Sequence, residues 1–136
     1  MVVSTRSVAL AAALAVFAAA PASAKAISSV YKVVHSGTLT PIGFHYYLEE
    51  GCRSPGPVQI NVVTPPQNGE ISEGPRSAHP SYPATSHLAA CNRVKVSGTE
   101  IYYRSAPGYL GSDSYVVERV FPNGDAQQFQ IDLSVR

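Results

Sequence analysis

Hydrophobic and polar residues alternate with a period of two through most of the chain. In segment 128–135 apolar side chains occupy every second position, and segment 58–62 repeats the pattern. Segments 42–48 and 101–103 follow the same rule, each with its apolar side chains expected on one face. This alternation is typical of strands that bury one face and expose the other, and no window carries a convincing helical stripe. The pattern therefore predicts an all-β fold.

Turn residues separate these segments. The sequence Pro-Asn-Gly-Asp at 122–125 predicts a β-hairpin, because an Asn-Gly pair readily takes the positive φ of tight turns. The sequence Pro-Pro-Gln-Asn-Gly at 65–69 predicts a second turn, which would join segments 58–64 and 69–73 as a hairpin. Together the two signals predict strands near 28–35, 39–48, 58–64, 69–73, 93–97, 99–104, 113–121 and 126–135. Seven to eight short strands without helices close most economically as an antiparallel two-sheet β-sandwich.

The N-terminal residues have the pattern of an export signal. Arg6 supplies a positive charge, residues 8–20 form an uninterrupted apolar stretch, and small residues follow up to Ala24. The apolar stretch is short for a permanent transmembrane helix, with an uncleaved anchor as the alternative. We therefore expect the signal peptide 1–24 to be cleaved after Ala24. The product would be one domain, 25–136, that is secreted or periplasmic and has no integral membrane segment.

The charge balance argues against nucleic acid as a partner. The chain has 10 Lys and Arg residues against 9 Asp and Glu, a formal net charge of +1. Binding to phosphates needs a basic excess that displaces counterions, which this chain lacks. Hydrophobic residues make up 45% of the chain, which is enough to bury a core and excludes a disordered tail.

The two cysteines, Cys52 and Cys91, predict a structural disulfide. An even pair in an exported chain meets an oxidising compartment, and the wide spacing disfavours a redox motif. The loop 74–92 contains three prolines, which argue against a regular strand. If segments 58–64 and 69–73 form the predicted hairpin, the chain returns to the end of the sandwich at which it entered. Loops 49–57 and 74–92 then lie at the same end, where the bridge joins them.

Two motifs resemble those of bacterial Ig-like, cadherin-like modules. Segment 62–71 reads Val-Val-Thr-Pro-Pro-Gln-Asn-Gly-Glu-Ile and resembles their PPxxGxv turn. Segment 101–115 reads Ile-Tyr-Tyr-Arg-Ser-Ala-Pro-Gly-Tyr-Leu-Gly-Ser-Asp-Ser-Tyr and is similar to their YxPxPGYxGxDxF segment. The resemblance covers roughly 58–135. It implies an Ig-like β-sandwich exported by a bacterium, and it offers no catalytic residues to carry over.

The second motif contains the residues expected to shape a turn before the next strand. Pro107 and Gly108 fix one turn, and Gly111 allows another. We expect Asp113 to accept backbone N–H bonds from this turn and Tyr109 to cover the end of the core. A structural role for Asp113 is favoured over calcium binding, because no loop of the EF-hand type supplies the oxygen ligands that calcium takes.

The histidines and serines form no catalytic or metal-ligand pattern. None of the four histidines, His35, His45, His79 and His87, pairs with another at a ligand spacing, and His45 is expected to point outward. No GxSxG motif is present, so we expect neither an enzyme nor a cofactor. Two alternatives stay open. One is a small secreted hydrolase or inhibitor, and the other is a periplasmic protein that binds copper or zinc through its histidines.

Surface recognition is the leading functional hypothesis. Tyr and Arg side chains concentrate binding energy at protein interfaces, and loops 49–57 and 74–92 carry several of them. The sequence therefore predicts an exported, non-enzymatic binding module that recognises an envelope or extracellular macromolecule through these two loops. The candidate partner-binding residues are Arg53, Arg76, His79, Tyr82 and His87.

Overall fold

A computed structural model of the chain describes residues 27–136. The predicted signal peptide and its cleavage site lie outside the described residues. Within that range the chain forms seven strands and one 3₁₀ turn, Ala89–Arg93. The strands are β1 (Ser28–Val34), β2 (Thr40–His45), β3 (Gln59–Thr64), β4 (Gly69–Ala78), β5 (Val96–Ser105), β6 (Gly111–Val120) and β7 (Ala126–Val135). The prediction of an all-β fold is confirmed.

The strands form two sheets. The larger sheet has the strand order β1-β7-β6-β3, and the smaller has the order β2-β5-β4. All neighbours are antiparallel except β1 and β7, which run parallel from Ser28 opposite Phe129 to Val34 opposite Val135. The predicted two-sheet sandwich is confirmed with seven strands. The parallel pair is a difference from the prediction, because alternation alone carries no information about strand direction.

One of the two predicted hairpins forms. The turn at 122–125 joins β6 to β7, which are paired along their whole length. The predicted hairpin of β3 with β4 is wrong, because β3 pairs with β6 in the larger sheet and β4 pairs with β5 in the smaller. The connection at 65–68 therefore crosses from one sheet to the other. Its two prolines have no N–H to donate, so they are poorly suited to the ladder of a tight hairpin.

Two strands are longer than the sequence predicted. β5 is one continuous strand where two were predicted, 93–97 and 99–104, because Gly98 continues the ladder between them. β4 includes Pro75 and ends at Ala78, so the irregular loop begins later than predicted. β4 is an edge strand of the smaller sheet, and an edge strand tolerates a residue without an N–H.

The main core lies between the two sheets. Tyr103 of β5 and Tyr115 of β6 are its largest buried side chains, and their rings stack with centroids 6.3 Å apart. Alternate residues of β5, β6 and β7 supply most of the core, as the pattern predicted. Its buried members are Val34, Ile42, Ile101, Tyr103, Tyr115, Val117, Ile131, Leu133 and Val135.

A β-bulge in β2 changes the direction in which its side chains point. The register of β2 with β5 shifts between Pro41 and Gly43. Ile42 belongs to the main core, whereas Phe44 packs into a second hydrophobic cluster. The common face predicted for the apolar residues of 42–48 is therefore wrong, because one inserted residue reverses the alternation.

The second cluster lies on the outer face of the smaller sheet. Ile101 and Tyr103 of β5 point into the main core, so Val96 of the same strand points to the opposite side. Segment 79–94 folds over this outer face and supplies part of the cluster. The cluster consists of buried Leu48, Cys91 and Val96, with Phe44, Tyr46, Cys52, Tyr82 and Leu88 packed against them.

Candidate functional site

The two ends of the sandwich differ in their connections. The disulfide end contains the connections 46–58, 79–95 and 121–125, and the Asp113 end contains 35–39, 65–68 and 106–110. At the disulfide end the predicted bridge between Cys52 and Cys91 is confirmed, with the two Cα atoms 5.4 Å apart. The bridge joins two loops at the same end, as predicted, although the hairpin from which that placement was argued does not form.

Segment 79–94 is irregular but packs closely against the smaller sheet. The side chain of Asn92 donates to the carbonyl of Tyr82 at 2.9 Å and accepts from the N–H of Tyr82 at 2.8 Å. The ring of Tyr82 packs edge-on against Tyr46 with centroids 5.7 Å apart, and the N–H of Ser81 donates to the Tyr46 hydroxyl. These contacts hold the loop in one conformation over the second cluster.

The five candidate partner-binding residues lie in different environments. Arg53, His79 and His87 are exposed on connections of the disulfide end, where the loop prediction placed them. Tyr82 is half-buried in the second cluster. Arg76 lies on β4 rather than in a loop. The structure therefore brings four of the five residues to one end. The connections there differ from the predicted loops mainly because residues 74–78 belong to β4.

Arg76 is engaged within the fold. Its guanidinium forms an ion pair with Glu100, whose side chain is only 3% exposed, and lies 5.8 Å from the centroid of the Phe44 ring. A carboxylate removed from water to this degree is costly unless a positive charge or hydrogen-bond donors compensate it. Arg76 therefore stabilises the outer face of the smaller sheet.

A groove of about 440 Å³ opens at the disulfide end between the second cluster and the β6–β7 hairpin. Aromatic side chains form most of its wall, and Arg119 and His87 are its basic residues. Of the candidate residues, the structure brings Tyr82 and His87 together here. The groove is lined by Phe44, Tyr46, Tyr47, Leu48, Tyr82, His87, Leu88, Arg119 and Phe121.

Arg119 reaches the groove from the inner side of the larger sheet. It lies two residues after Val117 of the main core, and its guanidinium carbon is 4.1 Å from the Phe129 centroid and 4.9 Å from the Phe121 centroid. Its Nη2 donates to Oε1 of Gln127 at 2.7 Å, while the buried Nε has no acceptor among the described residues. Two aromatic rings and one neutral amide therefore surround this cation.

No carboxylate of residues 27–136 forms an ion pair with Arg119; the ion pair seen in that range is Arg76 with Glu100. Burial lowers the pKa of the Arg119 guanidinium from its usual value, and the nearby Tyr46 hydroxyl opposes that shift in part. The groove therefore contains a partly desolvated positive charge that the described part of the protein does not neutralise.

His45 lies near this cation. The expectation that His45 points outward is wrong, because the bulge in β2 places it opposite Thr99 on the inner side of the smaller sheet. Burial, and next the positive charge of Arg119, lower the pKa of His45 to about 4. His45 is therefore neutral at pH 7, and Arg119 is the charged member of this pair.

Sequence reasoning missed Arg119 and most of the aromatic wall. One signal was present, since Tyr115 and Val117 set an apolar alternation in which position 119 should also be apolar. A charged residue at an inward-facing position is a candidate for function. The wall itself was not readable from the sequence, because the bulge in β2 and the fold of segment 79–94 bring it together.

The Asp113 end is closed by a single carboxylate. Asp113 accepts hydrogen bonds from the N–H groups of Gln67, Asn68 and Ser114 at 3.0, 3.1 and 2.9 Å, and from the Tyr103 hydroxyl at 2.7 Å. The expectation that Asp113 binds the turn of its own motif is wrong, because it binds the connection 65–68. The two motifs noted in the sequence therefore meet at Asp113.

One of the two turns expected before Asp113 is present. Gly108 lies in the turn expected at Pro107-Gly108, with a φ of 79°, whereas Gly111, with a φ of 131°, is the first residue of β6 and forms no second turn. Tyr109 packs against the main core and donates its hydroxyl hydrogen to the carbonyl of Ser112. Tyr109 therefore covers the end of the core, as expected.

Among residues 27–136, no three His, Cys, Asp or Glu side chains lie close enough together to hold a metal ion. No helix in the same range is long and apolar enough to cross a membrane. Comparison of the chain with protein-family models, with curated proteins and with solved structures gives no match. The functional argument therefore rests on the residues and their geometry.

Proposed function

We propose that the protein is an exported, non-enzymatic binding module of the Ig-like, cadherin-like kind. It recognises a macromolecular partner of the envelope or the extracellular space through its disulfide end. The observation that carries the proposal is the groove at that end, which brings Tyr82 and His87 together with Arg119 inside an aromatic wall. The two-sheet architecture and the contact of both sequence motifs at Asp113 are compatible with an Ig-like module.

The composition of the groove supports binding. Aromatic residues and arginine concentrate binding energy at interfaces, especially where water is excluded from them. The Cys52–Cys91 bridge and the two hydrogen bonds of Asn92 to Tyr82 order the loops before any partner arrives. Such preorganisation lowers the conformational entropy that binding would otherwise cost. A disulfide also suits an oxidising compartment outside the cytoplasm.

The test compares the two ends of the sandwich. The purified protein is immobilised, partners are captured from envelope extract, and the affinity of each purified partner is measured by calorimetry. We expect His87→Ala and Arg53→Ala each to weaken the partner's binding by about 1–2 kcal/mol. Leu110→Ala at the Asp113 end is the matched control, since Leu110 is 67% exposed and lies far along the sandwich. A partner that is lost with Leu110→Ala and kept with both other variants would contradict the proposal.

A further inference from the structure

Arg119 combines two features that together favour a bound anion. It is partly removed from water by Phe121 and Phe129, and it has no carboxylate partner among residues 27–136. Residues 1–26 contain no Asp or Glu, so they cannot supply one either. A desolvated cation gains most from an anion brought into the same low-dielectric surroundings. The groove is therefore electrostatically complementary to a negative group.

The rest of the groove restricts what that negative group is attached to. Its wall is mostly aromatic and aliphatic, with Phe44, Leu48 and Leu88 beside the tyrosines. The Tyr46 hydroxyl already accepts from Ser81. A sugar or nucleotide would bring several hydroxyl or phosphate oxygens, and each one left unpaired against the aromatic and aliphatic faces of this wall would be costly. A hydrocarbon side chain next to a single carboxylate has no such cost.

The groove is also open rather than enclosed, and it runs beside Phe44–Leu48, the chain that leaves the edge strand β2. An open groove admits an internal stretch of an extended polypeptide. This inference rests on the proposed function and narrows it: we infer that the partner is a protein segment that places an Asp or Glu carboxylate against Arg119 and an adjacent apolar side chain against the aromatic wall.

The test uses two capped heptapeptides in a Gly/Ser background, one with a central Leu-Glu-Leu and one with Leu-Gln-Leu. Their binding to the full protein is followed by NMR chemical shifts. We expect the Glu peptide to bind about tenfold tighter than the Gln peptide, because a charge-assisted hydrogen bond is about twice as strong as a neutral one. Shifts should cluster at Tyr82, Arg119 and Phe121. This comparison needs no variant and does not depend on whether a substituted protein folds.

Variants then locate the discriminating group. Arg119→Gln should bind the two peptides within about twofold of each other, and Arg119→Lys should keep part of the preference because it keeps the charge without the planar fork. Arg104→Gln is the matched control, since Arg104 is exposed on the outer face of β5. It should keep the full preference. An intact disulfide and β-type circular dichroism establish that each variant is folded.

Three results with the peptides would overturn the inference. They are equal affinity of the wild type for both peptides, a preference that survives Arg119→Gln, and binding of a Leu-Gln-Leu peptide only when its C-terminal carboxylate is left free. Tight binding of glucuronate, a carboxylate on a sugar, in place of the peptides would do the same. If the peptides fail while His87→Ala still disrupts a captured partner, the proposed function stands and this inference falls. If the peptides bind but no macromolecular partner is captured, the proposed function falls, and the inference that rests on it falls as well.

Discussion

The two ends of the sandwich close the same core by opposite means. At the Asp113 end, one buried carboxylate accepts hydrogen bonds from three N–H groups and the Tyr103 hydroxyl, all within the protein. At the disulfide end, a covalent bridge and a second hydrophobic cluster hold the loops, while the cation Arg119 has no carboxylate. The first end satisfies its charge internally, and the second leaves its charge unmatched.

That difference supports the proposal that the binding site lies at the disulfide end. Polar groups that serve only the fold are usually paired, because an unpaired buried group reduces stability. Asp113 follows this rule, whereas the buried Nε of Arg119 and Nδ1 of His45 depart from it, as do the hydroxyls of Ser36 and Tyr115 elsewhere in the sandwich. Stability at the disulfide end comes from the Cys52–Cys91 bridge and the cluster around it, so the unmatched charge is tolerated. The following three predictions test this division, beginning with the largest expected effect.

Removal of the bridge should have the largest effect. The double variant Cys52→Ala/Cys91→Ala should lower the free energy of unfolding by about 2–4 kcal/mol, because the bridge closes a loop with a sequence separation of 39. Urea denaturation of both proteins without reductant measures the loss. Hydrogen exchange should show weakened protection in segment 79–94 and near-native protection around Asp113. Uniform loss of protection at both ends would contradict the division.

Removal of the carboxylate at the Asp113 end should reduce the free energy of unfolding by a somewhat smaller amount. Asp113→Ala should lower the free energy of unfolding by about 2–3 kcal/mol, because Tyr103 and the amides of Gln67 and Asn68 lose their acceptor. Tyr103→Phe removes one of these bonds and should cost about 1 kcal/mol.

Tyr115→Phe is the matched control, because Tyr115 stacks on Tyr103 in the same core but its buried hydroxyl has no partner among the described residues. Its unfolding free energy should stay within about 0.5 kcal/mol of the wild type. A cost for Tyr115→Phe equal to that of Tyr103→Phe would show that the loss of any buried hydroxyl from this core, and not the loss of the bond to Asp113, accounts for the effect.

The smallest effect concerns pH. The pKa of His45 is about 4 in the folded protein and 6.5 in the unfolded chain. Between these values the unfolded chain binds more protons, so stability is full above pH 6.5 and falls as the pH drops towards 4. The group is only partly enclosed, and we expect a loss of about 1 kcal/mol after allowance for solvent screening.

Denaturation curves at pH 7 and pH 5 measure this loss, and His45→Gln should remove it. Arg119 on β6 is the charged group that acts on His45, so Arg119→Gln should raise the pKa of His45 and reduce the loss. An unchanged pH dependence in His45→Gln would assign the effect to other titrating groups.

Much of the fold could be predicted from the sequence, because its signals are local. The alternation in β7, the turn at 122–125 and the single pair of cysteines each gave the correct element or contact. The errors arise where contacts between residues far apart in the sequence determine how strands pair. Prolines at 65–66 separate two strands instead of joining them, and Pro75 is tolerated because β4 lies at a sheet edge.

The candidate site could be predicted only in part. The loop ends, Tyr82 and His87 were identifiable from composition, and they line the groove. The remaining wall depends on the bulge between Pro41 and Gly43, which turns Phe44 outward and His45 inward. A bulge adds one residue without an obvious local signature, and every side chain beyond it changes face. No pattern with a period of two could have revealed that exchange.

The parallel pairing of β1 with β7 also limits when β1 can form during folding. β1 is the first strand of the described chain, and its only neighbour is the last one, with Ser28 opposite Phe129. Until β7 has been synthesised, β1 has no strand to pair with. Contacts between such distant parts of a chain slow folding, because a long loop must close before any pairing energy is gained. The edge of the larger sheet beside β7 therefore stays unpaired until these two distant segments meet.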